Sequence, residues 1–244
     1  MYKISLDFIK KIYLKVLDFI FPPFCAGCRK EGVVFCEKCL QKISFIEEQV
    51  CPICREKSKE ALVCLRCKKN TNLFSLMVVA SYSKNKAMEK LIESFKYKFS
   101  PAGVEILGNF LCEKITENLP ENLREKRNII LSYVPLHRNK QKWREFNQAE
   151  ILAKYVSQRL NLPLENLLIR IRDTLPQAKL KKAERIKNMK SAFKATREGR
   201  GERVLLIDDV ATTLSTLENC ASPLKEAGFT DVYAAVLARG RWTT

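Results

Sequence analysis

The stretch whose reading decides the fold is Arg203-Val-Leu-Leu-Ile-Asp-Asp-Val-Ala-Thr-Thr-Leu-Ser-Thr216. Val204 to Ile207 is an unbroken apolar run, the pattern of a strand covered on both faces in a parallel sheet. Asp208 and Asp209 follow where that strand is expected to end, and four hydroxyls come next: Thr212, Thr213, Ser215 and Thr216. Leu214, Leu217, Ala221 and Leu224 then recur at helical spacing. A turn that opens a helix presents unpaired N–H groups and the positive end of the helix dipole, and both favour a phosphate. Neighbouring carboxylates can accept hydrogen bonds from a vicinal diol. Phosphate at one end and diol at the other describe a ribose 5-phosphate. The plainer alternative is an acidic pair at a strand end that does no more than cap the next helix.

Working outward, Gly199 and Gly201 lead into this strand, Gly228 is a helix stop after it, and Val232 to Leu237 is a final strand. Upstream, residues 170–197 form a long basic excursion (Arg170, Arg172, Lys179, Lys181, Lys182, Arg185, Lys187, Lys190, Lys194, Arg197) with only Asp173 and Glu184 against it. Asn147 with Glu150 three residues later predicts a capping box for a helix whose inner face is Ile151, Leu152, Tyr155 and Val156. Before it, Asn128 to Val134 is a strand that runs into a loop holding His137, Arg138, Lys140, Lys142 and Arg144 around Trp143. That loop can grip bases or phosphates, or it is simply a solvated charged loop. Pro101 opens a helix carried by Val104, Leu107, Leu111 and Ile115; Met88, Leu91, Ile92 and Phe95 mark another, ended by Lys96-Tyr97-Lys98; Leu73 to Tyr82 is a strand. Gly103 and Gly108 have P-loop spacing, but Asn109-Phe110 stand where Lys-Ser/Thr is required, which excludes that motif. Cys112 and Cys220 fall on helices and read as core.

The N-terminal third has a different character. Cys25-x2-Cys28-x7-Cys36-x2-Cys39 and Cys51-x2-Cys54-x9-Cys64-x2-Cys67 are two sets of paired knuckles, each able to complete a tetrahedron of thiolates around one zinc. With all four positions filled by sulfur, both sites are structural. Residues 4–20 are apolar, but Asp7, Lys11 and Asp18 recur along one side, so they read as an amphipathic helix rather than a membrane span. The expected organisation is therefore a leader helix (1–20), a double zinc-ribbon domain (21–70) and an α/β domain (71–244).

Paired thiols that hold metal suit a reducing compartment, and with no secretory signal the expected location is the cytoplasm. The formal charge is +17 over 244 residues, or about +13 once two zinc ions are held by eight thiolates. Such a surface attracts anions of any kind and does not choose among them.

Asp208, Asp209, Val210, Thr212, Thr213 and Thr216 match the type I phosphoribosyltransferase signature Asp-Asp-Val-x-Thr-Thr-Gly-x-Thr, with Leu214 at the glycine position. Arg144-Glu-Phe-Asn-Gln-Ala149, the series Thr174, Gln177, Leu180, Glu184-Arg185, Asn188 and Ala192-Phe193, and the cysteine sets extend the likeness over nearly the whole chain. In their order these motifs resemble the ComF family of competence-associated, phosphoribosyltransferase-like proteins. The resemblance implies a parallel sheet flanked by helices, with 5-phosphoribosyl 1-pyrophosphate (PRPP) and magnesium at the C-terminal ends of the strands. It implies Asp208 and Asp209 on the ribose hydroxyls, and residues 211–216 (Ala211, Thr212, Thr213, Leu214, Ser215, Thr216) around the 5-phosphate. Arg144 would face the pyrophosphate as a catalytic cation. It also implies a link to DNA uptake, with single-stranded DNA and the competence machinery as partners. Two readings follow: a PRPP-dependent transferase, or a non-catalytic module on the same fold that holds PRPP or single-stranded DNA. A zinc-ribbon nucleic-acid factor alone would leave 204–216 unexplained. Leu214, Glu145 (also at a family glycine) and Pro223 inside the signature helix weigh against transfer; the turn at Leu214 is expected to take a negative φ. Nothing in the sequence sets the oligomeric state.

Overall fold

The computed structural model describes residues 22–82, 85–97, 100–120, 123, 129–136, 146–171 and 192–240. The leader helix, the loop holding His137, Arg138, Lys140, Lys142, Trp143, Arg144 and Glu145, and the basic stretch from Arg172 to Lys190 lie outside the described residues.

Four parallel strands form the sheet: β1 (Leu73–Ser81), β2 (Ile129–Tyr133), β5 (Arg203–Ala211) and β6 (Val232–Arg239), in the order β1-β6-β5-β2. Their near-continuous apolar runs follow from the covering of both faces. On one face lie α1 (Lys86–Tyr97), α2 (Pro101–Asn118) and α3 (Gln148–Leu160), whose buried side chains meet Leu205 and Ile207. On the other lies α4 (Ser215–Glu226), whose Leu217, Cys220, Ala221 and Leu224 meet Val204 and Leu206. The strict alternation along β5 is the two-residue period of a strand shared between two cores.

Several local expectations hold, with adjustments. α2 starts at Pro101, and the Ser100 hydroxyl accepts the Gly103 N–H at 3.3 Å. α3 is capped by Asn147, but its side-chain oxygen takes the Ala149 N–H at 3.1 Å and Glu150 pairs with Lys154 at 2.7 Å. The capping box is not closed: the Asn147 side-chain amide donates to the Val134 carbonyl at 3.1 Å, and the Glu150 carboxylate is taken by a lysine one turn on. α4 runs through Pro223 without a break. Gly228, at φ +98°, ends that segment, with the Phe229 N–H returning to the Leu224 carbonyl. The two ends of the basic excursion are not structureless: β3 (Leu168–Arg170) pairs antiparallel with β4 (Phe193–Ala195).

The cysteine segment wraps the exposed edge of the sheet. Cys25, Cys36, Cys39 and Ile43 share a core with α1 and α2, whereas Cys51, Val63 and Cys67 share the core on the α4 side. Between them the chain crosses β1, and the Ile46 N–H donates to the Val79 carbonyl at 2.8 Å. Gln49, 8% exposed, then uses its amide as a short strand would: its Nε2 donates to Val78 O and its Oε1 accepts Val78 N–H, both at 3.1 Å. An edge strand that would otherwise invite pairing with another chain is thereby covered. Among the described residues no helix is long and apolar enough to cross a membrane.

Candidate functional site

β2 ends opposite Ile207, while β5 continues to Ala211 beside β6 alone. The acidic pair therefore lies within β5, not after it, at the place where one neighbouring strand has stopped. A step opens at the C-terminal edge of the sheet, and Asp208 and Asp209 are half-buried on it.

As consecutive strand residues, the two carboxylates leave on opposite faces. Asp209 points to the α1 face, where its Oδ2 lies 3.1 Å from the Lys96 ammonium. Its charge also reaches Tyr82, whose hydroxyl is pushed up by burial and by Glu93, Glu89 and Asp209. Asp208 points to the α4 face, close enough for its charge to act on the Cys220 thiol. Its Oδ1 accepts the Asp209 N–H at 2.8 Å, which folds that carboxylate back over the strand end. A ligand touching both must straddle the end of β5.

Beyond the strand, Thr212 and Thr213 are exposed, and Leu214 at φ −70°, ψ −9° precedes the first turn of α4. The expected negative φ is found. Glycine has no special conformation to supply at Leu214, whose side chain packs against the α4-side core. Close approach is solved elsewhere: Gly240 donates to the Ala211 carbonyl at 2.9 Å, and a Cβ there would stand 3.1 Å from the Thr212 Cα. No side chain caps α4, so the N–H groups of Ser215, Thr216 and Leu217 are left to a ligand or solvent. One turn in, Glu218 is fastened to the end of the second ribbon, accepting from the Thr71 hydroxyl and from the Asn72 N–H at 3.0 Å.

Each cysteine set brings its four sulfurs within 4.8 Å of one another. Sulfurs about 2.3 Å from a shared zinc stand about 3.8 Å apart, and the 3.5 Å pairs Cys28–Cys36 and Cys54–Cys64 are near that edge. Backbone N–H groups point at sulfur, from Cys36 to Cys25 at 3.3 Å and from Cys64 to Cys51 at 3.4 Å, as suits thiolate acceptors. Burial pushes Cys39 up to about 12; at Cys25 burial is outweighed by N–H donors from Cys36, Cys28 and Gly27, and it falls to about 6. These are two four-Cys zinc-ribbon sites. Magnesium would need oxygen donors, and the oxygens of Asp208, Asp209 and a bound polyphosphate are of that kind.

The geometry thus brings together Asp208, Asp209 and 211–216; Arg144 falls outside the described residues. Residues the sequence reading passed over are Lys96, taken only as a helix end, and Arg239. The latter is 7% exposed and reaches from the end of β6 to the Pro52 carbonyl at 2.8 Å. Burial, with Arg55 adding repulsion, pushes Arg239 down to about 10. No periodicity or spacing links either residue to its partner.

Sheet, signature turn and paired ribbons define a phosphoribosyltransferase-type α/β domain carrying a double zinc ribbon. Family comparison agrees: the double zinc ribbon domain matches residues 16–68 and the phosphoribosyl transferase domain matches 147–244. Competence protein F of Haemophilus influenzae is 26% identical over 88% of this chain and 90% of its own. Competence protein ComFC of Bacillus subtilis is 26% identical over 79% of this chain and 78% of its own. The DNA utilization protein YhgH of Escherichia coli K12 is 26% identical over 89% and 97%. Among solved structures, the purine phosphoribosyltransferase of Pyrococcus horikoshii is similar over 58% of this chain and 75% of that chain, with 21% identity and a TM-score of 0.34. Over most of its length the chain is thus similar to proteins named competence protein F and ComFC, and it matches both the double zinc ribbon and the phosphoribosyl transferase domains.

Proposed function

We propose that the chain binds PRPP with magnesium at the C-terminal end of β5, in the service of DNA uptake or nucleotide salvage. One observation carries the reading: two carboxylates and an uncapped helix start lie together on the strand that outruns β2. In this reading the N–H groups of Ser215, Thr216 and Leu217, with the hydroxyls of Thr212, Thr213 and Thr216, hold the 5-phosphate. Asp208 and Asp209 take the ribose hydroxyls from either side of the strand end, which fixes the sugar with its anomeric carbon turned away from α4. Magnesium, bound with the ligand, supplies positive charge to the pyrophosphate. Arg144 is assigned to the same group by its match to the family motif. The protein's own work is to bind and orient; transfer needs little acid–base help once the leaving charge is stabilised. The DNA link rests on the names of the relatives, competence and DNA utilization, and the zinc-thiolate ribbons suit the cytoplasm.

Calorimetric titration with PRPP and magnesium tests the site. Asp208→Asn and Asp209→Asn are each expected to weaken binding by about 1.5–3 kcal/mol, the value of a hydrogen bond to a charged group. Unchanged affinity in both variants moves the ribose site elsewhere. Release of pyrophosphate in the presence of nucleobases separates a transferase from a module that holds PRPP. A parallel titration with single-stranded oligonucleotide, whose log affinity falls linearly with log salt if phosphates are gripped, tests the DNA arm.

A further inference from the structure

Lys96 precedes the region matched to the phosphoribosyl transferase domain, and no motif assigns it a task. Yet it closes α1 with its ammonium 3.1 Å from Asp209 Oδ2, the two side chains 18% and 15% exposed. Its main chain is placed as well: the Lys96 carbonyl accepts from Gln148 Nε2 at 3.3 Å, and the neighbouring Phe95 ring lies 6.2 Å from that of Phe146. Phe146 and Gln148 belong to the chain entering α3 from the loop after β2. Lys96 therefore stands on the β2 side of the strand end, away from the helix start that receives the 5-phosphate.

We propose that Lys96 is a resident counter-ion that changes partner when ligand binds. In the free protein it offsets the repulsion between adjacent carboxylates by holding Asp209. When a sugar hydroxyl takes Asp209, the ammonium turns to the pyrophosphate oxygens. This rests on the PRPP reading above and names the residue that meets the anomeric substituent. Lysine suits the exchange, being a point charge on a flexible stem with three rotatable donors rather than a rigid fork. The pair is largely buried, so opening it is tolerable only as an exchange in which each charge gains a new partner, Asp209 a sugar hydroxyl and Lys96 a pyrophosphate oxygen. One consequence is specific: with Lys96 on Asp209, a divalent cation has no reason to bind alone and enters together with the pyrophosphate.

Lys96→Met keeps the length of the stem and removes the charge. Calorimetry on the full chain would use Mn2+ alone, magnesium pyrophosphate, ribose 5-phosphate and PRPP, with a melting curve to show that the variant is folded. Mn2+ alone is expected to bind the variant about 10-fold tighter than the parent, because the carboxylates have lost their counter-ion. Magnesium pyrophosphate and PRPP are expected to bind about 10-fold weaker, ribose 5-phosphate within about 2-fold, and Lys96→Arg to recover part of the pyrophosphate affinity. An equal loss for ribose 5-phosphate, or unchanged Mn2+ and pyrophosphate binding, overturns the exchange. A parent that binds none of the phosphates overturns the PRPP reading and the exchange with it; a parent that binds PRPP beside an indifferent Lys96→Met overturns the exchange alone.

Discussion

The first zinc ribbon (Cys25 to Cys39) and the second (Cys51 to Cys67) have the same knuckle. In each, the residue after the second cysteine, Arg29 or Arg55, takes a left-handed conformation (φ 67° and 71°), and its N–H returns to the carbonyl of the first cysteine. Their surroundings differ. The first shares its core with Met88, Leu91 and Ile92 of α1, and Lys90 of that helix donates to the Gly27 carbonyl at 3.1 Å. The second is held by Arg239 from the end of β6 and by Glu218 from the first turn of α4. One ribbon thus backs the helix that carries Lys96; the other backs the turn that opens α4. Duplicated local chemistry does not imply duplicated function, because each copy stabilises whatever the fold sets behind it.

The largest effects come from the cysteines. Cys39→Ser and Cys51→Ser should each lower metal content from two zinc ions to one, and each forfeits most of an apparent binding energy of about 10–16 kcal/mol. If the ribbons back different halves of the site, Cys51→Ser loses ribose 5-phosphate affinity, whereas Cys39→Ser retains it and loses pyrophosphate affinity. Equal losses of both ligands in both variants would break the comparison. A smaller effect is expected of Arg239→Met, which removes a buried hydrogen bond from a charged donor. Urea unfolding should show a loss of about 1.5–3 kcal/mol with two zinc ions still bound, and an unaltered midpoint would detach the second ribbon from β6. Least is expected of Leu214→Gly: with φ already negative, glycine adds chain entropy without relieving strain. Stability should fall by about 0.5–1 kcal/mol, with PRPP affinity within about 2-fold of the parent. A clear gain in affinity would show that the turn is strained after all.

The strands of the main sheet, the helices that flank it and the two ligand sets were legible because each is written in a short repeat, whereas the short pair β3 and β4 was not. Apolar period marks Val204–Ile207 and Met88–Phe95, and knuckle spacing marks the eight cysteines. The strand end was misplaced by four residues' worth of chain, since Asp208 and Asp209 break the apolar run, and the lone Val210 after them does not say that β6 continues beside the chain once β2 has stopped. Glu150 looked like half of a capping box; the competing lysine at 154 and the carbonyl of Val134 decided otherwise.

From the amino-acid order alone came the ligands of both zinc sites, the strand-turn-helix with its carboxylates and hydroxyls, and the resemblance to the competence proteins. Tertiary structure alone decided that Asp208 and Asp209 part to opposite faces and that Lys96 meets one of them. It also decided that Gln49 stands in for a strand at the open edge, and that each ribbon takes its own side of the sheet. The reason is range. Hydrogen-bond and metal geometry act over a few residues and leave a period in the sequence, whereas contacts between distant segments depend on how whole faces pack and leave none.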